Sequence, residues 1–199
     1  VGSGTMQDTQ LLVELFLRHL DDDARRVLSP AEELAGRLTA MWAAGRAASP
    51  GVEVPIAEFV RFVALRIDMA SFRGLELLRV EDLYLLCAYV KGLPGAAPLF
   101  EGRCLGPVTA TLRRIRTDPD MLDDVKQALR HAVLLDRSID PEHKHYAGAG
   151  SLASWLCVRA VREVGHRRDR RGRDDPFEEH SLDDLPVQDE DQELVYLKQ

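Results

Sequence analysis

Apolar residues recur at helical spacing along most of the chain, and patterns typical of β-strands are scarce. Within residues 9–28, for example, Leu12, Leu15 and Leu20 fall on one face of a helix. Short stretches containing proline and glycine separate the helical patterns. The chain has 199 residues, of which 45% are hydrophobic, which is enough to bury a core. We therefore predict an all-α fold built as a helical bundle.

Changes in composition divide the chain into four segments. We interpret residues 1–5, VGSGT, as an expression scar, and residues 6–78 as an N-terminal helical unit of unknown role. Residues 79–173 form the main bundle, in which residues 95–116 predict one helix kinked at Gly106 and Pro107. Residues 174–193 contain many carboxylates and no lysine or arginine, so residues 174–199 are predicted to be an acidic linker leading to an absent C-terminal domain.

The cysteine, histidine and apolar patterns exclude several classes of protein. Cys87, Cys104 and Cys157 are odd in number and lie in apolar helical surroundings, which predicts reduced, buried thiols. The longest apolar stretches are interrupted by charges, so we expect a cytoplasmic protein with no membrane span. His143 and His145 lack a carboxylate or thiol at metal-binding spacing, so no metal or cofactor is expected. No nucleophile, base and orienting group occur at a recognisable spacing, which argues against an enzyme.

The helix predicted to begin after Ser151 places a tryptophan among cations. Each residue of an ideal helix advances 100°. One side, about 80° wide on this geometry, carries Trp155, Arg159, Arg162, His166 and Arg170. The opposite side is apolar and carries Ala153, Cys157, Ala160, Val161 and Val164. An indole beside guanidinium groups can stack an unpaired base, at about 1–3 kcal/mol per base. Ordinary packing of the tryptophan, with cations stabilised by the helix dipole, is the structural alternative.

Three segments resemble a known family. The segments LYLLCAYVKGLPGAAPLFE, LDDVKQALRHAVLL and YAGAGSLASWLCVRAVREVGHRRDRR resemble region two of bacterial RNA polymerase sigma factors of the extracytoplasmic-function type. The resemblance covers about residues 81–173, and the added N-terminal helices are similar to those of a divergent myxobacterial subgroup. It implies a sigma factor fragment that binds core polymerase and recognises and melts the minus-ten promoter element. An anti-sigma regulator is a further partner implied by the family.

The resemblance also implies two sets of binding residues. The helix 122–135 would dock on the clamp of the largest polymerase subunit through Asp124, Gln127, Arg130, His131 and Leu134. The segment 143–171 would capture the non-template DNA strand, with Trp155 at the family's conserved tryptophan. The implied DNA-binding residues are Lys144, Tyr146, Trp155, Arg159, Arg162, His166, Arg167, Arg168, Arg170 and Arg171. The alternative is a helical regulatory module that binds only protein, such as an anti-sigma factor or another polymerase regulator.

Overall fold

A computed structural model describes residues 3–19, 31–66, 75–134 and 146–170. These residues form helices joined by turns, and no extended strand occurs among them. The predicted all-α fold is therefore confirmed. The chain divides into two compact units, residues 1–97 and residues 98–199. This division lies later in the sequence than the predicted boundary between residues 78 and 79, because the helix at residues 80–90 packs in the first unit.

The described residues of the first unit form four α-helices and a short 3₁₀ helix. The elements are α1 (Ser3–Leu17), α2 (Ala31–Ala48), α3 (Ile56–Ala64), the 3₁₀ helix (Leu75–Leu77) and α4 (Val80–Val90). Helix α2 packs against both α1 and α4, and α1 also packs against α3. The first helix begins at Ser3, within the segment interpreted as an expression scar.

Tyr84 of α4 holds the loop that precedes α3. Its buried hydroxyl donates a hydrogen bond to the carbonyl of Val52 (3.0 Å) and accepts one from the N–H of Val54 (2.9 Å). The indole N–H of Trp42 donates to the carbonyl of Val54 at 2.8 Å. The aromatic ring of Tyr84 lies 5.6 Å from that of Phe59, centroid to centroid. These contacts fix the loop between α2 and α3 in the core of the first unit.

The second unit is a bundle in which α8 is central. Its elements are α5 (Ala96–Phe100, whose first two residues belong to the first unit), a π-helical turn (Glu101–Leu105), α6 (Gly106–Arg114), α7 (Pro119–Leu134) and α8 (Leu152–Arg170). Helix α8 packs against α6, α7 and the π-helical turn. Helix α8 is therefore in contact with three other elements of the second unit.

At Gly106 and Pro107, where the sequence predicts a kink, a π-helical turn leads into α6. The N–H of Gly106 donates to the carbonyl of Glu101, five residues earlier, instead of the usual four. Pro107 has no N–H to donate to the carbonyl of Arg103, so the regular α-helical pattern cannot continue across it. The wide turn places Glu101 beside α7, where it contacts an arginine described below.

Helices α4 and α6 end with the same hydrogen-bond pattern. After α4, the N–H groups of Gly92 and Leu93 donate to the carbonyls of Tyr89 and Ala88. After α6, the N–H groups of Arg116 and Thr117 donate to the carbonyls of Arg113 and Leu112. The first residue of each pair has a positive φ, 65° for Gly92 and 52° for Arg116. Both ends are Schellman motifs, and an arginine occupies the left-handed position in the second.

All three cysteines are buried and free, as predicted. Burial raises the pKa of the Cys87 thiol to about 12 and also raises the pKa of Cys157. Both groups are therefore protonated at neutral pH. Among the described residues, no helix is long and apolar enough to cross a membrane.

Candidate nucleic-acid interface

Ser151 caps the start of α8 and sets the orientation of the helix. Its hydroxyl accepts a hydrogen bond from the N–H of Ser154 (3.4 Å), and its carbonyl accepts one from the N–H of Trp155 (3.0 Å). A serine at this position satisfies backbone N–H groups that have no partner within the helix. The predicted helix start at Ser151 is thereby confirmed.

Helix α8 separates an apolar face from a basic face. Of the predicted apolar face, Cys157, Ala160 and Val164 are buried, and Ala153 and Val161 are half-buried. Leu152, Leu156 and Val158 are buried as well. On the other side Arg162, His166 and Arg170 are exposed, while Trp155 and Arg159 are half-buried. We call these five residues the basic face of α8. The helix as a whole contains five arginines and two carboxylates, so its local charge is positive despite the net charge of −7 for the chain.

Tyr146 supports the indole of Trp155 from the interior of the unit. The two ring centroids lie 6.0 Å apart, and the ring planes meet at 62°. Tyr146 is only 1% exposed, and its hydroxyl donates to the carbonyl of Gly150 at 2.6 Å. The ring of Tyr146 is therefore unable to contact a ligand in solvent directly. Its place in the site is to hold Trp155 in a fixed edge-to-face arrangement.

Arg159 lies over the ring of Trp155. The guanidinium carbon is 4.6 Å from the ring centroid, within the range of a cation–π contact. The two residues are four positions apart on α8, so their side chains meet on one face of the helix. The indole thus has a buried aromatic ring on one side and a cation on another.

Arg167 and Arg168 bind to other residues of the second unit. Arg167 forms ion pairs with Glu163 (Nε to Oε1, 2.6 Å) and with Asp124 of α7 (Nη1 to Oδ2, 3.2 Å). Arg168 donates to the carbonyl of Ile115, at the end of α6, at 3.3 Å. The two arginines therefore tie the end of α8 to α7 and α6. Two further residues expected at this interface, Lys144 and Arg171, lie outside the described residues.

Helix α7 presents a polar stripe to solvent. Asp124, Gln127, His131 and Leu134 are exposed, and Leu134 retains 43% of its accessible surface. The opposite side of α7 is buried through Val125, Leu129 and Val133. Four of the five residues that the sequence grouped for polymerase binding thus share one exposed face.

Arg130, the fifth residue of that group, is half-buried and held by Glu101. Its Nε and Nη2 atoms donate to the two carboxylate oxygens of Glu101 at 2.6 and 3.0 Å, and Nη1 donates to Gln127 Oε1 at 3.3 Å. The hydrogen bonds from Arg130 lower the pKa of Glu101 against the opposing effect of burial. Sequence reasoning missed Glu101, because 29 residues separate it from its partner.

The two predicted binding sets meet at one ion pair. Asp124 belongs to the exposed stripe of α7, and Arg167 belongs to the basic end of α8. Glu163, which the sequence did not single out, forms the second ion pair of Arg167.

Within the described ranges, no three or more histidine, cysteine or acidic side chains are placed to hold a metal ion. His143 and His145 lie outside those ranges.

The chain matches no protein-family model, and comparisons with curated proteins and with solved structures find no match.

Proposed function

We propose that the second unit binds the unpaired non-template strand of promoter DNA and docks on core RNA polymerase, as region two of a sigma factor does. The observation that carries the proposal is the basic face of α8, where a half-buried indole stands among exposed cations. Bases without a pairing partner offer flat apolar surfaces, and their backbone offers one negative charge per nucleotide. A tryptophan among arginines matches both features.

The basic side chains of α8 differ in their availability for phosphate. Arg162 and His166 are exposed on the same side as Trp155, and Arg170 is exposed beyond them. Arg167 and Arg168 are engaged with neighbouring helices. We therefore assign phosphate binding mainly to Arg162 and Arg170, and we assign Arg167 and Arg168 to holding α8 in place. This reassigns the phosphate clamp that the sequence resemblance implies.

The exposed stripe of α7 supplies the proposed polymerase contact. Its acidic and amide side chains, Asp124 and Gln127, precede His131 and the exposed apolar side chain of Leu134. A mixed polar and apolar helix face of this kind suits a transient protein interface. Because α7 and α8 pack against each other, docking through α7 would hold α8 beside the DNA.

The DNA-binding part is tested with the full chain and a fluorescein-labelled single-stranded oligonucleotide, measured by anisotropy. We expect Trp155→Ala to weaken binding about 5- to 150-fold, since stacking of a base is worth about 1–3 kcal/mol. Trp42→Ala is the matched control, because Trp42 is also half-buried with an arginine, Arg46, 5.4 Å from its ring centroid, but lies in the first unit. Equal affinities of the Trp155 variant and the unchanged chain would refute the proposal.

The polymerase part is tested by co-purification with bacterial core RNA polymerase. We expect Gln127→Ala combined with Leu134→Ala to weaken retention, because both side chains lie on the exposed stripe of α7. Circular dichroism of the double variant checks that the helices are intact. Undiminished retention of this variant would place the polymerase contact elsewhere.

The second candidate function is a module that binds only protein. The engagement of Arg167 and Arg168 within the unit favours it, because these two cations are already neutralised or hydrogen-bonded without a ligand. The experiments above separate the two functions. Retention on polymerase together with no base-dependent DNA binding would favour the module.

A further inference from the structure

We propose that residues 174–184, which follow α8 in the sequence, bind back onto the basic face of α8 and compete there with single-stranded DNA. We call residues 174–184 the acidic segment. The inference rests on the proposed function and deepens it, because it names a regulator of the same site. The acidic segment lies outside the described residues, so its side chains are read from the sequence.

The acidic segment carries the two features that single-stranded DNA presents to a protein. Its carboxylates come in three neighbouring pairs, at positions 174–175, 178–179 and 183–184. Phe177 and Leu182 lie between these pairs. No lysine or arginine occurs in the segment, so its negative charges have no cationic partner within it. Spaced negative charges with apolar side chains between them complement cations beside an indole, as the phosphates and bases of a single strand do.

Helix α8 presents exposed cations that no described carboxylate neutralises. Arg162 and Arg170 are exposed. Among the described residues, neither of these two arginines forms an ion pair. The carboxylates of Asp124 and Glu163 pair with Arg167 instead. The cations of the basic face are therefore open to carboxylates from elsewhere in the chain, and the acidic segment is the nearest source in the sequence.

The acidic segment is long enough to fold back along α8. At a rise of about 1.5 Å per residue, Arg162 lies about 12 Å before Arg170 along the helix axis, and Trp155 lies about 22 Å before it. An extended chain advances about 3.3 Å per residue, so about four residues reach Arg162 and about seven reach Trp155. After a reversal at Gly172, a residue that tolerates turn conformations, positions 174–175 and 178–179 come level with Arg170 and Arg162.

Tethering makes this contact effective although each ion pair is weak. Three exposed ion pairs together change an equilibrium constant by a factor of about 3 to 30. The segment is joined to α8 by a few residues, so it acts at a high effective concentration. DNA therefore binds in exchange for the segment, with a lower affinity. The exchange also weakens the salt dependence of DNA binding, because some cations are already paired before the strand arrives.

The first test neutralises carboxylates in the full chain and measures the binding of a fluorescein-labelled single-stranded oligonucleotide by anisotropy. One variant removes four charges within the acidic segment: Asp174→Asn, Asp175→Asn, Glu178→Gln and Glu179→Gln. The matched control removes four charges farther along the chain: Asp189→Asn, Glu190→Gln, Asp191→Asn and Glu193→Gln. Circular dichroism checks that the helices of both variants are intact.

The two variants have different expected results. The variant of the acidic segment should bind DNA about 3- to 30-fold more tightly than the unchanged chain at low salt. Its log affinity should also depend more steeply on log salt concentration, by about 0.7 for each cation that the segment no longer occupies. The control should change the affinity by no more than about twofold, because its carboxylates lie beyond the part that reaches α8.

The second test detects the contact without DNA. A carbodiimide joins a lysine amine to a carboxylate that touches it, and Arg162→Lys supplies such an amine on the basic face while keeping the charge. We expect mass spectrometry to find position 162 joined to the acidic segment of the same chain at low salt, and the yield to fall at high salt. Lys126 of α7 is the internal reference for chance encounters within the second unit.

The outcomes separate this inference from the proposed function. Cross-links to the acidic segment that are no more frequent at position 162 than at Lys126, or that form only between two chains, would refute the docking of the segment. Equal DNA affinities of the two charge variants would refute the competition and leave only long-range repulsion. If Trp155→Ala leaves DNA binding unchanged even when the acidic segment is neutralised, the proposed function fails, whatever the cross-links show.

Discussion

The ion pair between Glu101 and Arg130 provides a quantitative test of how the second unit is held together. It joins the π-helical turn to α7 through two hydrogen bonds, of 2.6 and 3.0 Å, one to each carboxylate oxygen of Glu101. We expect the variants Glu101→Gln and Arg130→Met, and the double variant, to show a favourable coupling energy. A double-mutant cycle isolates this coupling from the other consequences of each change.

The structure sets the expected size of the coupling. The side chains retain 27% (Arg130) and 38% (Glu101) of their accessible surface, so solvent screens the pair substantially. Exposed pairs contribute about 0.2–1 kcal/mol, and the paired geometry places this one near the upper end, at about 1 kcal/mol. The pair Arg37–Glu33 on α2, with 47% and 51% exposure, is the control, for which we expect about 0.3–0.5 kcal/mol.

The coupling should also depend on pH in a defined direction. Arg130 lowers the pKa of Glu101 in the folded chain below its value in the unfolded chain. A carboxylate of this kind stabilises the fold fully above its unfolded pKa of about 4.3, and this contribution is lost as the pH falls through the lower folded pKa. The coupling should therefore be present at about pH 7 and decline below about pH 4.

Urea unfolding followed by Trp155 fluorescence in a Trp42→Phe background measures this coupling in the second unit, since Trp42 and Trp155 are the two tryptophans of the chain. The control pair on α2 is followed by Trp42 fluorescence in a Trp155→Phe background. The cycle is measured at neutral and at acidic pH. A coupling no larger than that of the control pair, or one that persists unchanged at acidic pH, would refute the assignment of Glu101 as an ionised partner of Arg130.

Three backbone positions, Arg116, Gly92 and Gly45, yield further predictions. Arg116→Gly should stabilise the second unit by about 0.5–1 kcal/mol, because glycine adopts positive φ without strain, whereas Gly92→Ala should destabilise the first unit by about 1 kcal/mol. Urea unfolding measures both, with Arg116→Ala as a control for lost charge; a loss of stability in Arg116→Gly would contradict the reasoning. Gly45→Ala should cost about 1–3 kcal/mol, because a Cβ atom there would lie 2.5 Å from the Cβ of Tyr84. An unchanged thermal midpoint for this variant would show that α2 and α4 separate without cost.

The sequence predicted features that depend on local spacing. The two predicted faces of α8 follow from residues three or four positions apart, and the predicted start of α8 follows from Ser151, whose side chain accepts a backbone N–H group. The burial of Val125 and Leu129 on α7 follows from the same periodicity. Each of these features is decided within one or two helical turns.

The remaining features depend on contacts between distant residues. Helix α4 is buried all along Leu83–Ala88, so its sequence predicts a core helix but does not indicate which other helices surround it. The predicted domain boundary was therefore placed before α4 and not after it. Likewise, the partner of Arg167 on α7 lies 43 residues away, and charge alone did not distinguish this structural arginine from the exposed Arg162.

The energetics of the indole also restrict how the proposed function operates. Stacking of one base on the indole is worth about 1–3 kcal/mol. Extracting a base from a duplex costs a few kcal/mol, so Trp155 alone does not offset the opening of a paired site. The additional free energy has to come from phosphate contacts and from docking on polymerase, which holds α8 at the DNA without the entropic cost of a separate encounter. In the proposed function, the basic face of α8 would therefore capture a strand that is already unpaired, and opening of the duplex would require the complex with polymerase.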